Sequence, residues 1–123
     1  MTIDANIVIA YLAGDEVVVR ALSEWRKEGR LFFLPTVAET EILSFMGWTK
    51  EEEKATKEFV EENFVSVPFD RPVARIAVGI RQMYRIKFPD AAIAASALFT
   101  KTPLVTRNIQ DFKRILGLEI VSF

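Results

Sequence analysis

The chain contains no cysteine and no histidine. Without cysteine there is no disulfide framework, no thiolate nucleophile and no cysteine-ligated zinc or iron–sulfur site. Without histidine there is no Ser–His–Asp triad, no imidazole general base and no imidazole metal ligand. Uninterrupted apolar runs of about 18 residues, as a membrane-spanning helix needs, are also missing. The opening Met1-Thr2-Ile3-Asp4 lacks the basic segment of a secretory signal, so a cytoplasmic protein without membrane attachment is expected.

Acid–base and metal chemistry must therefore come from Asp, Glu, Lys, Tyr or water on a hard cation. Carboxylate oxygens unaccompanied by nitrogen or sulfur donors suit Mg²⁺ and Mn²⁺ better than Zn²⁺, which points toward phosphate chemistry. The 123 residues, 50% of them hydrophobic, suffice for one compact domain spanning 1–123. The net charge of −1 is unevenly spread: residues 1–69 carry 7 basic and 13 acidic side chains, residues 70–123 carry 9 and 4. Arg71, Arg75, Arg81, Arg85, Lys87, Arg107, Lys113 and Arg114 form either ordinary solvated helix faces or a surface that attracts phosphates.

Short apolar runs alternate with amphipathic stretches. Strands are expected around Ile3, at Leu31–Leu34, at Phe64–Val67, at Pro103–Thr106 and at Glu119–Ser122. Helices are expected to follow Asn6 as an N-cap, Asp15 as an N-cap, and Thr36 up to Phe45. Another should follow Thr49, whose Thr-x-x-Glu pattern forms a capping box. Asp70, followed by Pro72, should cap the next helix. Pro89 reads as a break, with Asp90 capping a strongly apolar helix from Ala91 to Phe99. A short helix should run from Asn108 to Leu116. This alternation predicts a three-layer α/β/α sandwich around a mostly parallel sheet, with any site beyond the carboxyl ends of the strands.

Four acids sit at the edges of apolar segments instead of on polar faces: Asp4, Glu41, Asp90 and Asp111. Singly, each has an ordinary role as a cap, a surface residue or an ion-pair partner, as Asp111 could be for Arg107 or Arg114. Jointly they would repel one another and hold protons unless a cation compensates. A divalent ion lowers the pKa of a bound water, and a second about 4 Å away stabilises the leaving oxygen of a phosphodiester. Such hydrolysis leaves 5′-phosphate and 3′-hydroxyl ends.

These segments resemble the PIN-domain family. Asp4-Ala5-Asn6-Ile7-Val8-Ile9 is similar to its opening motif, and Glu41-Ile42-Leu43-Ser44-Phe45 to the segment bearing its second acid. Phe88-Pro89-Asp90-Ala91-Ala92-Ile93-Ala94-Ala95-Ser96-Ala97 resembles its most specific signature, and Pro103 to Phe112 its closing segment. The resemblance spans essentially the whole chain and looks most like the VapC-type ribonuclease toxins of VapBC toxin–antitoxin pairs. It implies Mg²⁺- or Mn²⁺-dependent cleavage of single-stranded RNA. Asp4, Glu41 and Asp90 would ligate one metal, and Asp90 with Asp111 would position a second. Asn6, Thr106 and Asn108 would be supporting polar residues. It further implies a homodimer inhibited by a small antitoxin seated in a groove near the site.

Two features depart from the pattern. Only three residues precede Asp4, so the first strand is either very short or begins upstream of this sequence. Glu39 also lies near Glu41 but on a different helix face. A stripe of Phe45, Met46, Trp48, Phe59 and Phe64 is either helix-pair core or a partner groove. Two other functions fit less well: a PIN-like RNA- or protein-binding module without strong catalysis, and a phosphate-accepting domain using Asp70. The latter lacks the early acid pair it needs.

Overall fold

A computed structural model describes all residues, 1–123. In chain order the elements are β1 (Thr2–Ile3), α1 (Ala5–Leu12), α2 (Glu16–Lys27), β2 (Phe33–Pro35), α3 (Thr36–Leu43) and α4 (Lys50–Asn63). They continue with β3 (Val65–Val67), α5 (Arg71–Met83), α6 (Phe88–Thr100), β4 (Leu104–Val105), α7 (Ile109–Phe112) and β5 (Ile120–Val121). The five strands form one sheet in the order β3-β2-β1-β4-β5, every adjacent pair parallel. Helices cover the sheet to give the expected three-layer α/β/α sandwich. No helix is long and apolar enough to cross a membrane.

Local sequence explains most of the boundaries. Asp15 accepts hydrogen bonds from the amides of Val17 and Val18 at the head of α2. The Thr49–Glu52 capping box is present in both directions, and Asp70 caps α5 through the Val73 amide. Gly14 adopts φ +81° directly after α1, the left-handed conformation that lets a carbonyl-rich helix end turn away without a Cβ penalty.

Two caps differ from expectation. Asp4, not Asn6, caps α1, its Oδ1 accepting from the Ala5 amide at 2.7 Å; both are Asx residues, and the one nearer β1 takes the role. Pro89 does not interrupt a helix but lies in the first turn of α6, where its missing N–H is harmless. Lys87 is the N-cap residue, and Asp90 lies inside the first turn instead of capping it. The strands are shorter than expected, and α7 stops at Phe112.

Helix α6 lies at the centre of the fold. Ala91 through Ala97 are all buried, and α6 packs against α5, α3, β1 and β2. Five of those seven residues are alanine, so the backbone of α6 approaches its neighbours closely. The Ser96 hydroxyl donates to the Ala92 carbonyl at 2.8 Å, satisfying its one buried polar group.

The sheet order places the site. From β1 the chain moves to β2 and β3 on one side, then crosses to β4 and β5 on the other. The reversal lies between β1 and β4, where Ile3 pairs with Val105. Crevices form beyond the carboxyl ends of strands at such a switch point. The residues that follow these two strands are Asp4 and Thr106.

Candidate active site

Asp4 anchors the crevice. It is 6% exposed, and each carboxylate oxygen is bonded. Oδ1 accepts from the Ala5 amide. Oδ2 accepts from the Thr106 hydroxyl at 2.8 Å and from Asn6 Nδ2 at 3.3 Å. Asn6 also donates to Thr106 Oγ1 at 3.2 Å, and the Asn108 amide donates to the same oxygen at 3.0 Å. The loop after β4 is thus tied to the head of α1 through side chains adjacent to the switch point.

Around Asp4 gather Glu41 from the later part of α3, Asp90 from the first turn of α6, and Asp111 from α7. Their proximity registers as mutual electrostatic strain. Burial, and secondarily the charges of Asp4 and Asp90, raise the Glu41 carboxyl above the ordinary glutamate range. Burial raises Asp90, helped by Asp111 and Asp4 and opposed by Lys87. Burial also raises Asp4, and the Asp111 charge adds to it, while the Thr106 and Ala5 hydrogen bonds pull the other way. Three carboxyls sharing this direction for overlapping causes mark one cluster.

Glu39 takes no part. It borders shallow depressions with Lys57 and Glu61, whereas Glu41 borders an apolar pocket with Ile9, Leu12, Phe45 and Trp48. Asp111 pairs with neither Arg107 nor Arg114. Its Oδ2 accepts from Asn108 Nδ2, Arg107 pairs with Asp15, and Arg114 donates to the Arg85 carbonyl. The Asp15–Arg107 pair leaves no sequence signal, because nothing local links the start of α2 to the loop after β4.

The aromatic stripe divides. Phe59 stacks on Tyr11 and meets Phe64, which in turn contacts Phe32. These rings pack at the border of the core. Phe45 and Trp48 form an edge-on pair at 5.1 Å in a pocket of about 420 Å³ beside Glu41. The Trp48 indole donates to the Ile42 carbonyl at 3.0 Å, and Phe45 is 59% exposed. Gly47 lies beneath the Phe45 ring, where a Cβ would come within 2.5 Å of Cε1.

No three carboxylates are arranged to grip an ion directly. The donor set nonetheless fits a hard divalent cation. Mg²⁺ keeps several waters and uses one or two carboxylates, and a cation offsets the burial and the mutual repulsion that raise these groups. Asp70, occupied as the cap of α5, stands after the edge strand β3, away from the switch point.

Comparison with known proteins identifies the fold and the family. The chain is 31% identical to Ribonuclease VapC1 of Rickettsia felis over 132 aligned positions, covering 99% of this chain and 95% of that relative. A solved toxin–antitoxin complex from Klebsiella pneumoniae contains a chain that superposes with a TM-score of 0.80 at 28% identity, over 98% of this chain and 94% of that one. A chain of VapBC2 from Rickettsia felis, solved bound to a promoter DNA fragment, has the same fold with a TM-score of 0.85 at 18% identity, covering 99% and 97%. Residues 1–117 match the PIN domain family, and the chain, similar to VapC ribonucleases, belongs to that family.

Proposed function

We propose that the chain is a Mg²⁺- or Mn²⁺-dependent endoribonuclease that hydrolyses single-stranded RNA and acts as the toxin of a type II toxin–antitoxin pair. The observation that carries this reading is the convergence of Asp4, Glu41, Asp90 and Asp111 at the switch point, with three of the carboxyls raised by burial and by one another. Residues 1–123 are read as one domain. Asp4, Glu41 and Asp90 would hold one ion, in part through its own waters, and Asp90 with Asp111 would help position a second. The ions, when bound, supply the Lewis acidity that generates the nucleophile and stabilises the leaving 3′-oxygen.

The chain's own residues orient this chemistry. The Thr106 hydroxyl and the Ala5 amide fix the Asp4 carboxylate, and Asn6 ties it to the loop after β4. Asn108 orients Asp111. A cytoplasmic homodimer is the expected form. The partner is a small antitoxin whose apolar side chains enter the pocket of Ile9, Leu12, Phe45 and Trp48, where they would lie against Glu41. The description of a similar chain as part of a toxin–antitoxin complex supports that partner. A merely RNA-binding role fits less well, because all four acids are in place.

Manganese-dependent cleavage of a single-stranded RNA by wild type and Asp90→Asn tests the reading. The variant should lose activity by at least about a hundredfold, since even residues one step removed from a metal cost about 10- to 100-fold. Its circular dichroism should be unchanged, and wild-type products should carry 5′-phosphates. Undiminished cleavage by the variant would refute the assignment.

A further inference from the structure

We propose that the Asp15–Arg107 ion pair is a positioning clamp for the active site, holding the loop after β4 so that Thr106 and Asp111 keep their places opposite Asp4. The proposal rests on the reading of the four-acid cluster as a metal-dependent site.

The clamp is fixed at both ends. Arg107 Nη2 lies 2.7 Å from Asp15 Oδ2. The other oxygen of Asp15 accepts the Val17 and Val18 amides at 3.1 and 3.3 Å, so helix α2 orients the carboxylate independently of Arg107. The Arg107 main chain is held separately: its amide donates to Asn6 Oδ1 at 3.3 Å. Asn6 in turn donates to Asp4 and Thr106. Residue 107 is therefore tied through its side chain to α2 and through its backbone to α1. Its neighbours on either side make the site's bonds, Thr106 to Asp4 and Asn108 to Asp111.

The need for a clamp follows from what carries Asp111. Helix α7 has 4 residues, and Phe112 is the buried one. So short a helix has little stability of its own and takes its position from its flanks. Phe112 anchors one end in the core; the Asp15–Arg107 pair anchors the loop at the other. Both partners are partly exposed, with side-chain accessibilities of 41% for Arg107 and 29% for Asp15. Such pairs bias a geometry by about twofold to fivefold and add little to global stability.

Arg107→Ala, Asp15→Asn and the double variant test the clamp. Asparagine keeps the N-cap while removing the charge. Calorimetric Mn²⁺ affinity and steady-state RNA cleavage are the readouts. Each single variant should weaken Mn²⁺ binding and lower kcat by about twofold to fivefold, with KM for RNA unchanged. The double variant should be no worse than Arg107→Ala, and Arg107→Lys should recover part of the loss. The melting temperature should hardly move. A rise in KM alone would overturn the clamp and make Arg107 a phosphate contact. Unchanged Mn²⁺ affinity and kcat, or additive losses in the double variant, would overturn it too. Wild type that binds Mn²⁺ but cuts no RNA would refute the nuclease reading and leave the affinity test of the clamp intact. Wild type that binds no Mn²⁺ would overturn both.

Discussion

Thr106 does two jobs with one hydroxyl. Fully buried, Thr106 donates to the Asp4 carboxylate and accepts from the Asn108 amide and from Asn6 Nδ2. Replacing it with valine keeps the shape but leaves Asp4 Oδ2 with the longer Asn6 contact alone. A buried carboxylate short of a donor costs about 1–3 kcal/mol, so Thr106→Val should lower unfolding free energy by that amount in urea. It should also raise the Asp4 carboxyl further, because the Thr106 bond is the largest influence holding it down. Thr106→Ser keeps the donor and should recover most of the stability. A valine variant as stable as wild type would mean that Asp4 is already held well enough by Ala5 and Asn6. The residues of this network were legible in the sequence as Asp, Asn and Thr at the ends of apolar segments. Their roles were less so: Asp4 and Asn6 have equivalent local claims to the cap of α1, and only pairing with β4 assigns Asp4 to it. The partner of Arg107 was hidden for the same reason, since a tertiary contact leaves no local trace.

At the level of elements, periodicity and capping located every helix. Their ends depended on details that tertiary packing decides. Pro89 opens a helix or breaks one with equal ease from sequence, and in the fold it sits in the first turn of α6, which begins at Phe88. The strands of two or three residues are shorter than any alternation pattern can delimit. Among the helix ends, α6 is the strained one. Its C-cap residue, Lys101, sits at φ 57°, ψ 39°, while Thr102 N–H returns to the Ala97 carbonyl at 3.2 Å. A left-handed residue with a Cβ costs about 1–2 kcal/mol, and glycine gives back about 0.5–1 kcal/mol in chain entropy. Lys101→Gly should therefore stabilise the fold by about 0.5–1 kcal/mol, seen as a rise in melting temperature of about 2–5 °C. It lies at the opposite end of α6 from Asp90, so cleavage activity should not change. A fall in melting temperature would show that the lysine side chain contributes more than its backbone costs.

For the whole molecule, the reading of the acid cluster as a metal site predicts that stability couples to pH and to metal with opposite signs. Asp4, Glu41 and Asp90 each hold protons more tightly folded than unfolded. Without metal, the folded chain binds more protons than the unfolded one from the ordinary carboxylate range, about 4, up to the raised values. Stability from these groups is full below that window and declines as pH rises through it. Asp15 runs the other way: its carboxyl is lowered, chiefly by Arg107, so its contribution is lost as pH falls. The two effects overlap in wild type, and Asp90→Asn separates them because it removes one cluster charge and leaves Asp15 alone. In EDTA the variant should melt above wild type, by a margin that widens as pH rises from about 4 to about 7. Saturating Mn²⁺ should reverse the order, because a bound cation stabilises the ionised cluster and binds only the folded state. Its stabilisation of wild type should grow over the same interval. A margin in EDTA that stays constant with pH would mean the carboxylates do not strain one another, and the electrostatic argument for a metal at this site would fail with it.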